Sequence, residues 1–142
     1  MIRAVVDPGV FISAFISPGG SAPDQIVRAW AAGAFELLIS PKLIGELAEV
    51  LTRPKFDRQA GAGRAEAYGT ALAAGAIVAD HPPDPQAVTR DVDDDCLFAL
   101  ALVGGADLIV SGDRDLMEPR DPKPPVLTPR EFADRLADAA DA

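Results

Sequence analysis

The chain has 142 residues, 49% hydrophobic and 25% charged, the profile of one ordinary folded domain that buries roughly 70% of its unfolded-chain surface. Lys and Arg number 13 against 22 Asp and Glu, a net charge of −9, which argues against a broad nonspecific surface for nucleic acid. No apolar run reaches the ~18 residues of a membrane helix, no signal-peptide pattern opens the chain, and a single cysteine, Cys96, excludes an internal disulfide, so a cytoplasmic protein is expected.

The opening "IRAVV", residues 2–6, is short, apolar and β-branched, as a buried strand should be. Pro8 biases Asp7 away from the α region, so the strand is expected to run up to Asp7. "VFISAFIS", residues 10–17, gives a short helix, and Pro18-Gly19-Gly20 a loop. "SAPDQIVRAWAAG" predicts a helix that Ser21 caps, Pro23 suits and Gly33 ends. "FELLIS", Phe35 to Ser40, is a second strand. The stretch "SPKLIGELAEVLTRP" predicts a helix with Ser40 as N-cap and Pro41 at the first position. Its Leu43, Leu47, Val50 and Leu51 recur at helical spacing, and Pro54 stops it.

Residues 59–75 are Ala-rich and helical in pattern, although their glycines weaken it. "AIVA" at 76–79 predicts a short strand, and "HPPDPQAVTR" at 81–90 a Pro-rich surface connection. "DVDDDCLFALALVGG" starts with acids and ends with glycines, as a helix does. Its apolar residues run nearly all round, which predicts burial from more than one side. "ADLIVSGD" is a strand entering a turn, and "VL" at 126–127 a final short strand. "TPREFADRLADAADA" carries a Thr128/Glu131 capping box with Pro129 between them, and so starts a helix.

Strands alternating with helices predict a single three-layer α/β/α domain over residues 1–142, with a mainly parallel central sheet. Ligands in such sheets collect beyond the carboxyl ends of strands at a topological switch point. Asp7 and Asp113 both stand just past strand ends, so their separation in sequence is no obstacle. Four segments bring acids towards such a crevice: Asp7, Glu46, the run Asp91, Asp93, Asp94 and Asp95, and Asp113 with Asp115. Clustered carboxylates repel one another unless a cation stands among them. Mg²⁺ or Mn²⁺, which prefer carboxylate and water oxygens, remove that cost and can activate water against a phosphodiester.

With strand-Asp7, "SPKLIGELAEVLTRPKF" and "DVDDDCLFALALVGGADLIVSGDRDLM" in this order, nearly the whole chain resembles the PIN-domain family of metal-dependent ribonucleases. It looks most like the bacterial members that serve as toxins of toxin–antitoxin systems, the VapC-like ribonucleases. The last block is the most specific. The resemblance implies a PIN-like fold and a metal site of Asp7, Glu46, Asp95 and Asp113, with Asp94 and Asp115 as auxiliary candidates. The neighbouring acids leave open which of Asp93, Asp94 and Asp95 is the ligand. It further implies that Mg²⁺ or Mn²⁺ activates water to cleave an RNA substrate, that a small antitoxin protein restrains the activity, and that no membrane is involved.

One departure from the family pattern stands at the first acid. A small hydroxyl residue and Asn usually follow it, whereas here Pro8-Gly9 follows, and neither side chain can hydrogen-bond a carboxylate or orient water. Losses of that kind commonly cost ~10–100-fold in affinity or activity. A PIN module that binds RNA or protein without cutting is therefore the second reading, and a phosphatase of unrelated α/β fold a distant third.

Each residue also has a plainer reading. Asp7 can be a turn residue or helix cap, Glu46 a solvated helix residue, Asp91–Asp95 a charged helix start favoured by the helix dipole, and Asp113 a tight-turn residue beside Gly112. His81 is expected to be exposed and Cys96 to be a packing residue. Arg53, Lys55 and Arg58 form the best small basic patch, and Arg114 can meet phosphate or neutralise nearby acids. The apolar helix within 91–105 is open both to a homodimer contact and to an ordinary three-layer core.

Overall fold

The structure is a computed structural model that describes residues 1–17, 19–51, 53, 67, 69–79, 92–112 and 124–140, with backbone alone for 92–95. β1 (Arg3–Val6) leads into α1 (Pro8–Ile16) and α2 (Ala22–Ala31), then β2 (Glu36–Ile39) and α3 (Pro41–Leu51). A helical segment, α4, covers residues 69–75. β3 (Ile77–Val78), α5 (Val92–Gly104), β4 (Leu108–Val110), β5 (Val126–Leu127) and α6 (Pro129–Ala140) complete the order. The five strands form one sheet in the order β3-β2-β1-β4-β5, every neighbouring pair parallel. This is the predicted α/β architecture, and parallel pairing explains why its strands are continuous apolar runs.

Helix starts are set where the sequence places capping chemistry. Ser40 Oγ accepts from the Leu43 N–H at 3.2 Å, and Ser21 Oγ from the Asp24 N–H at 3.3 Å. At α6 the capping box closes in both directions: the Glu131 N–H donates to Thr128 Oγ1 at 3.1 Å, and the Thr128 N–H to Glu131 Oε1 at 3.0 Å. Gly33, past the end of α2, has φ +80°, the left-handed conformation that a helix terminus asks of glycine. One boundary differs from the sequence expectation. α1 begins at Pro8, not Val10, because Asp7 caps it and Pro8 is already set for the first helical position, where its missing N–H costs nothing.

Alternation along each strand sends side chains to two cores, which produces three layers. Ala4, Val6, Leu37, Leu108 and Val110 pack with residues of α1, α2 and α6, whereas Val5, Leu38 and Ile109 pack with Leu97, Phe98, Leu100 and Ala101 of α5. α3 contributes to both, with Leu47 and Leu51 in the first core and Leu43 in the second. Phe35 meets Phe132 edge to face, with centroids 5.0 Å apart, which ties the approach to β2 to α6. The expectation of burial all round α5 is corrected at its carboxyl end. Leu102 is 68% and Val103 60% exposed, since the sheet covers only the face carrying Leu97, Leu100 and Ala101.

Two helical glycines give opposite predictions. A Cβ on Gly104 would run into the Leu38 side chain, reaching Cδ1 at 2.7 Å and Cγ at 3.0 Å, and Leu38 is fully buried. Overpacking of about 1–3 kcal/mol outweighs the roughly 1 kcal/mol of helix propensity gained, so Gly104→Ala lowers stability. At Gly45, in mid-α3, a Cβ meets nothing within 4 Å, so Gly45→Ala raises stability by about 0.5–1 kcal/mol. Urea denaturation of both variants checks the pair, and equal shifts would contradict the packing.

Candidate metal centre

β1 and β4 are the neighbours at which strand order reverses, so their carboxyl ends form the crevice where such sheets bind ligands. The β1–β4 ladder continues one step past the strand, where the Asp7 N–H donates to the Val110 carbonyl at 2.9 Å. Pro8 then turns the chain into α1, and Asp7 is left at the crevice, half-buried.

Two donors hold its carboxylate. Oδ1 accepts from the Gly9 N–H at 3.0 Å, and Oδ2 from the Ser111 hydroxyl at 2.7 Å. Ser111 is the first residue beyond β4 and is fully buried, so its hydroxyl is delivered from a rigid position. Each oxygen of an ionised carboxylate keeps a second lone pair after accepting one hydrogen bond. Asp7 is therefore oriented and still able to bind a cation.

These contacts join two readings that the sequence set against each other. Asp7 is an N-cap, and it also stands at the switch point. They also show how much the Pro8-Gly9 departure removes. Gly9 supplies a backbone donor in place of a side chain, and a hydroxyl reaches Asp7 from β4.

Glu46 lies in the second turn of α3, its side chain 42% exposed. Lys42, one turn earlier, places Nζ 4.0 Å from Glu46 Oε1 and donates to Cys96 Sγ at 3.5 Å. Cys96 follows Asp95 in sequence, so Lys42 links the helix carrying Glu46 to the first turn of α5. Asp93, Asp94 and Asp95 have backbone positions in that turn, and their side chains lie outside the described residues. So do Asp91, Asp113, Asp115, Arg114, His81, Lys55 and Arg58.

Among the described residues no three His, Cys, Asp or Glu side chains converge as a metal site. What is described is one oriented carboxylate, Asp7, and a second, Glu46, on a helix that packs against α1. Hard oxygen donors of this type suit Mg²⁺ or Mn²⁺. Of the small basic patch only Arg53 lies among the described residues, and its Nη2 is 3.2 Å from both carboxylate oxygens of Glu49. The pair is exposed and joins Glu49 of α3 to a residue just past the helix end, four positions on. Cys96 is buried, as a packing residue should be, with the Lys42 ammonium 3.5 Å from its Sγ.

Sequence reasoning missed Ser111, the Gly9 N–H and Lys42. Ser111 was legible as the hydroxyl in "SGD" directly after a strand. The other two needed coordinates, because a backbone donor has no sequence signature and Lys42 reads as an ordinary exposed helix lysine.

Comparison with known proteins bears on the fold and the family. Uncharacterized protein MJ1680 of Methanocaldococcus jannaschii is 29% identical over 145 residues, spanning 95% of this chain and 92% of its own. The crystal structure of PAE2754 from Pyrobaculum aerophilum matches with a TM-score of 0.64 at 16% identity, over 96% of each chain, which is a likeness of fold. No helix among the described residues is long and apolar enough to cross a membrane. The PIN domain model matches residues 3–115, from β1 through the segment beyond β4, and the chain belongs to the PIN-domain family, a nuclease-type fold whose members generally depend on divalent metal.

Proposed function

We propose that this protein is a Mg²⁺- or Mn²⁺-dependent endoribonuclease, the toxin component of a toxin–antitoxin pair, with residues 1–142 forming one PIN domain that acts in the cytoplasm. The observation that carries the reading is the Asp7 carboxylate, held from both sides at the β1/β4 switch point. Asp7, Glu46, Asp95 and Asp113 are the metal-holding set, with Asp94 and Asp115 as auxiliaries. The ion, when bound, supplies activation of water and neutralisation of charge developing on the RNA phosphate. Asp7 offers a fixed lone pair on each oxygen. Ser111 and the Gly9 N–H keep it from rotating, and Lys42 compensates Glu46 while the site is being filled. A small antitoxin protein is the partner that restrains cleavage, and a homodimer contact belongs to the exposed end of α5.

The second reading, a module that binds RNA or protein without cutting, draws on Pro8-Gly9 alone. The donors that reach Asp7 from Gly9 and Ser111 weaken that motive. Incubating the protein with structured and single-stranded RNA panels across a Mg²⁺ and Mn²⁺ titration decides between them. The ribonuclease reading expects cleavage that appears with metal and stops with chelator. RNA binding without cleavage at any metal concentration would establish the second reading instead.

A further inference from the structure

The first residues past four adjacent strands line up at the edge where Asp7 stands. Carrying the registers Val5↔Leu38, Val6↔Val110 and Val110↔Leu127 past the strand ends sets Ser40, Asp7, Ser111 and Thr128 side by side. Backbone hydrogen bonds follow the row, from the Asp7 N–H to the Val110 carbonyl at 2.9 Å and from the Ser111 N–H to the Leu127 carbonyl at 3.0 Å. Its two outer members share a sequel. Ser40 is followed by Pro41-Lys42 and Thr128 by Pro129-Arg130. Thus α3 and α6, on either side of the β1/β4 switch point, each begin with a capping hydroxyl, a proline and then a cation.

The hydroxyl and the proline are explained by the helix start. The cation is not, because the positive end of a helix favours an acid and disfavours Lys or Arg. A local preference broken in the same way at two helices flanking one crevice points to function. Lys42 and Arg130 are both exposed. Each meets a carboxylate one turn on, Glu46 at 4.0 Å and Asp134 at 3.5 Å. Exposed pairs of this kind are worth little, so an incoming anion can take the carboxylate's place at small cost. Arg3 differs, since it stands at the opposite end of the strands with Nε on Glu36 and Nη1 on the Gly104 carbonyl. The chain as a whole carries −9 and repels a polyanion, so an RNA has to be led in by cations placed locally.

We propose that Lys42 and Arg130 are phosphate-contacting residues on either side of Asp7, so that an RNA backbone crosses the carboxyl edge of the sheet from β2 to β5. The phosphate to be cut then lies between them, a placement that rests on the ribonuclease reading of Asp7. Neighbouring strands stand about 4.8 Å apart, which puts β2 and β5 about 14 Å apart, a span of a few nucleotides. Contacts of this type fix the register of the backbone and carry no sequence information.

The test measures binding of a short, labelled RNA to the whole chain by fluorescence anisotropy over a series of salt concentrations, with Ca²⁺ in place of Mn²⁺. Cleavage in Mn²⁺ is followed separately. Lys42→Gln, Arg130→Gln and Lys42→Arg are compared with the native protein and with Arg135→Gln, the same charge change beyond the first turn of α6. All three positions are exposed, and circular dichroism checks each fold. Lys42→Gln and Arg130→Gln are each expected to make the slope of log K against log salt shallower by about 0.7–0.9, and to weaken binding about fivefold at about 0.1 M salt. The loss should be the same for RNAs of different sequence. Lys42→Arg and Arg135→Gln should keep the native slope. Slopes unchanged in Lys42→Gln and Arg130→Gln, or reduced as much by Arg135→Gln, overturn this proposal, and Mn²⁺-dependent cleavage then leaves the ribonuclease reading standing. The expected slopes without cleavage at any metal concentration overturn the ribonuclease reading and leave the two contacts standing. A native chain that neither binds nor cuts RNA overturns both.

Discussion

Asp7→Asn is expected to reduce metal-dependent RNA cleavage by at least about 100-fold while leaving the fold intact. A carboxylate bound to a catalytic metal contributes through Lewis-acid stabilisation worth several kcal/mol, and each ~1.4 kcal/mol is tenfold in rate. The amide removes the negative charge that attracts the ion. It keeps an oxygen able to accept from the Gly9 N–H, which now donates to Asp7 Oδ1 at 3.0 Å. Asn is as good an N-cap as Asp, so α1 keeps its start, and a melting curve close to native is expected. Asp7→Ala is the poorer probe, because it also removes the cap, at a cost of about 1 kcal/mol. Ser111→Ala acts on the same oxygen less directly. It deletes the buried hydroxyl that donates to Oδ2 at 2.7 Å, and a loss of about 10–100-fold in activity or metal affinity is expected. Single-turnover cleavage at saturating Mn²⁺, with circular dichroism as the control for folding, measures the series. Native-like cleavage by Asp7→Asn would remove Asp7 from the site.

Phe132→Ala is expected to give the largest loss of stability, about 3–5 kcal/mol. Phe132 is fully buried on α6 and meets Phe35 edge to face. It belongs to the core that α1, α2 and α6 share with the sheet, so truncation leaves a cavity that the surrounding helices cannot fill without moving. A stability of 5–15 kcal/mol is usual for a domain, and this one change removes a large part of it. Guanidinium denaturation reads the effect as a fall in midpoint. A loss below 1 kcal/mol would mean that α6 is not seated as described.

Much of this architecture can be read from residues because local chemistry and tertiary packing agree. Ser40-Pro41, Ser21 with Pro23, and the Thr128/Glu131 box each mark a helix start that the structure keeps. The apolar runs at β1, β2 and β4 become central parallel strands because both faces of the sheet are covered. Pro8 was harder to read. It follows a strand that runs up to Asp7 and also opens α1, since proline is compatible with both an extended predecessor and a first helical turn. The exposed end of α5 was illegible for a different reason: an all-apolar helix carries no periodicity that says which face the sheet will leave open.

The candidate site divides in the same way. Asp7 was legible as an acid past a strand end, and its placement at the β1/β4 reversal follows from the strand order. Of its two restraints, the Ser111 hydroxyl has a signal in "SGD" after a strand, although the pairing spans 104 positions, and the Gly9 N–H has none because a backbone donor leaves no mark in sequence. Glu46 was assigned from its block, and its geometry adds a link through Lys42 to Cys96. The Asp95 side chain and Asp113 lie outside the described residues.

In the proposed site, carboxylates from distant segments hold one metal ion. The most direct measurement of this is Mn²⁺ binding by titration calorimetry on the native protein and on three single variants, Asp7→Asn, Glu46→Gln and Asp95→Asn. Saturable binding by the native chain is expected, and weaker binding at the same site in every variant, by at least about tenfold each. Binding that is unchanged by Glu46→Gln and Asp95→Asn, or absent from the native chain, would contradict it.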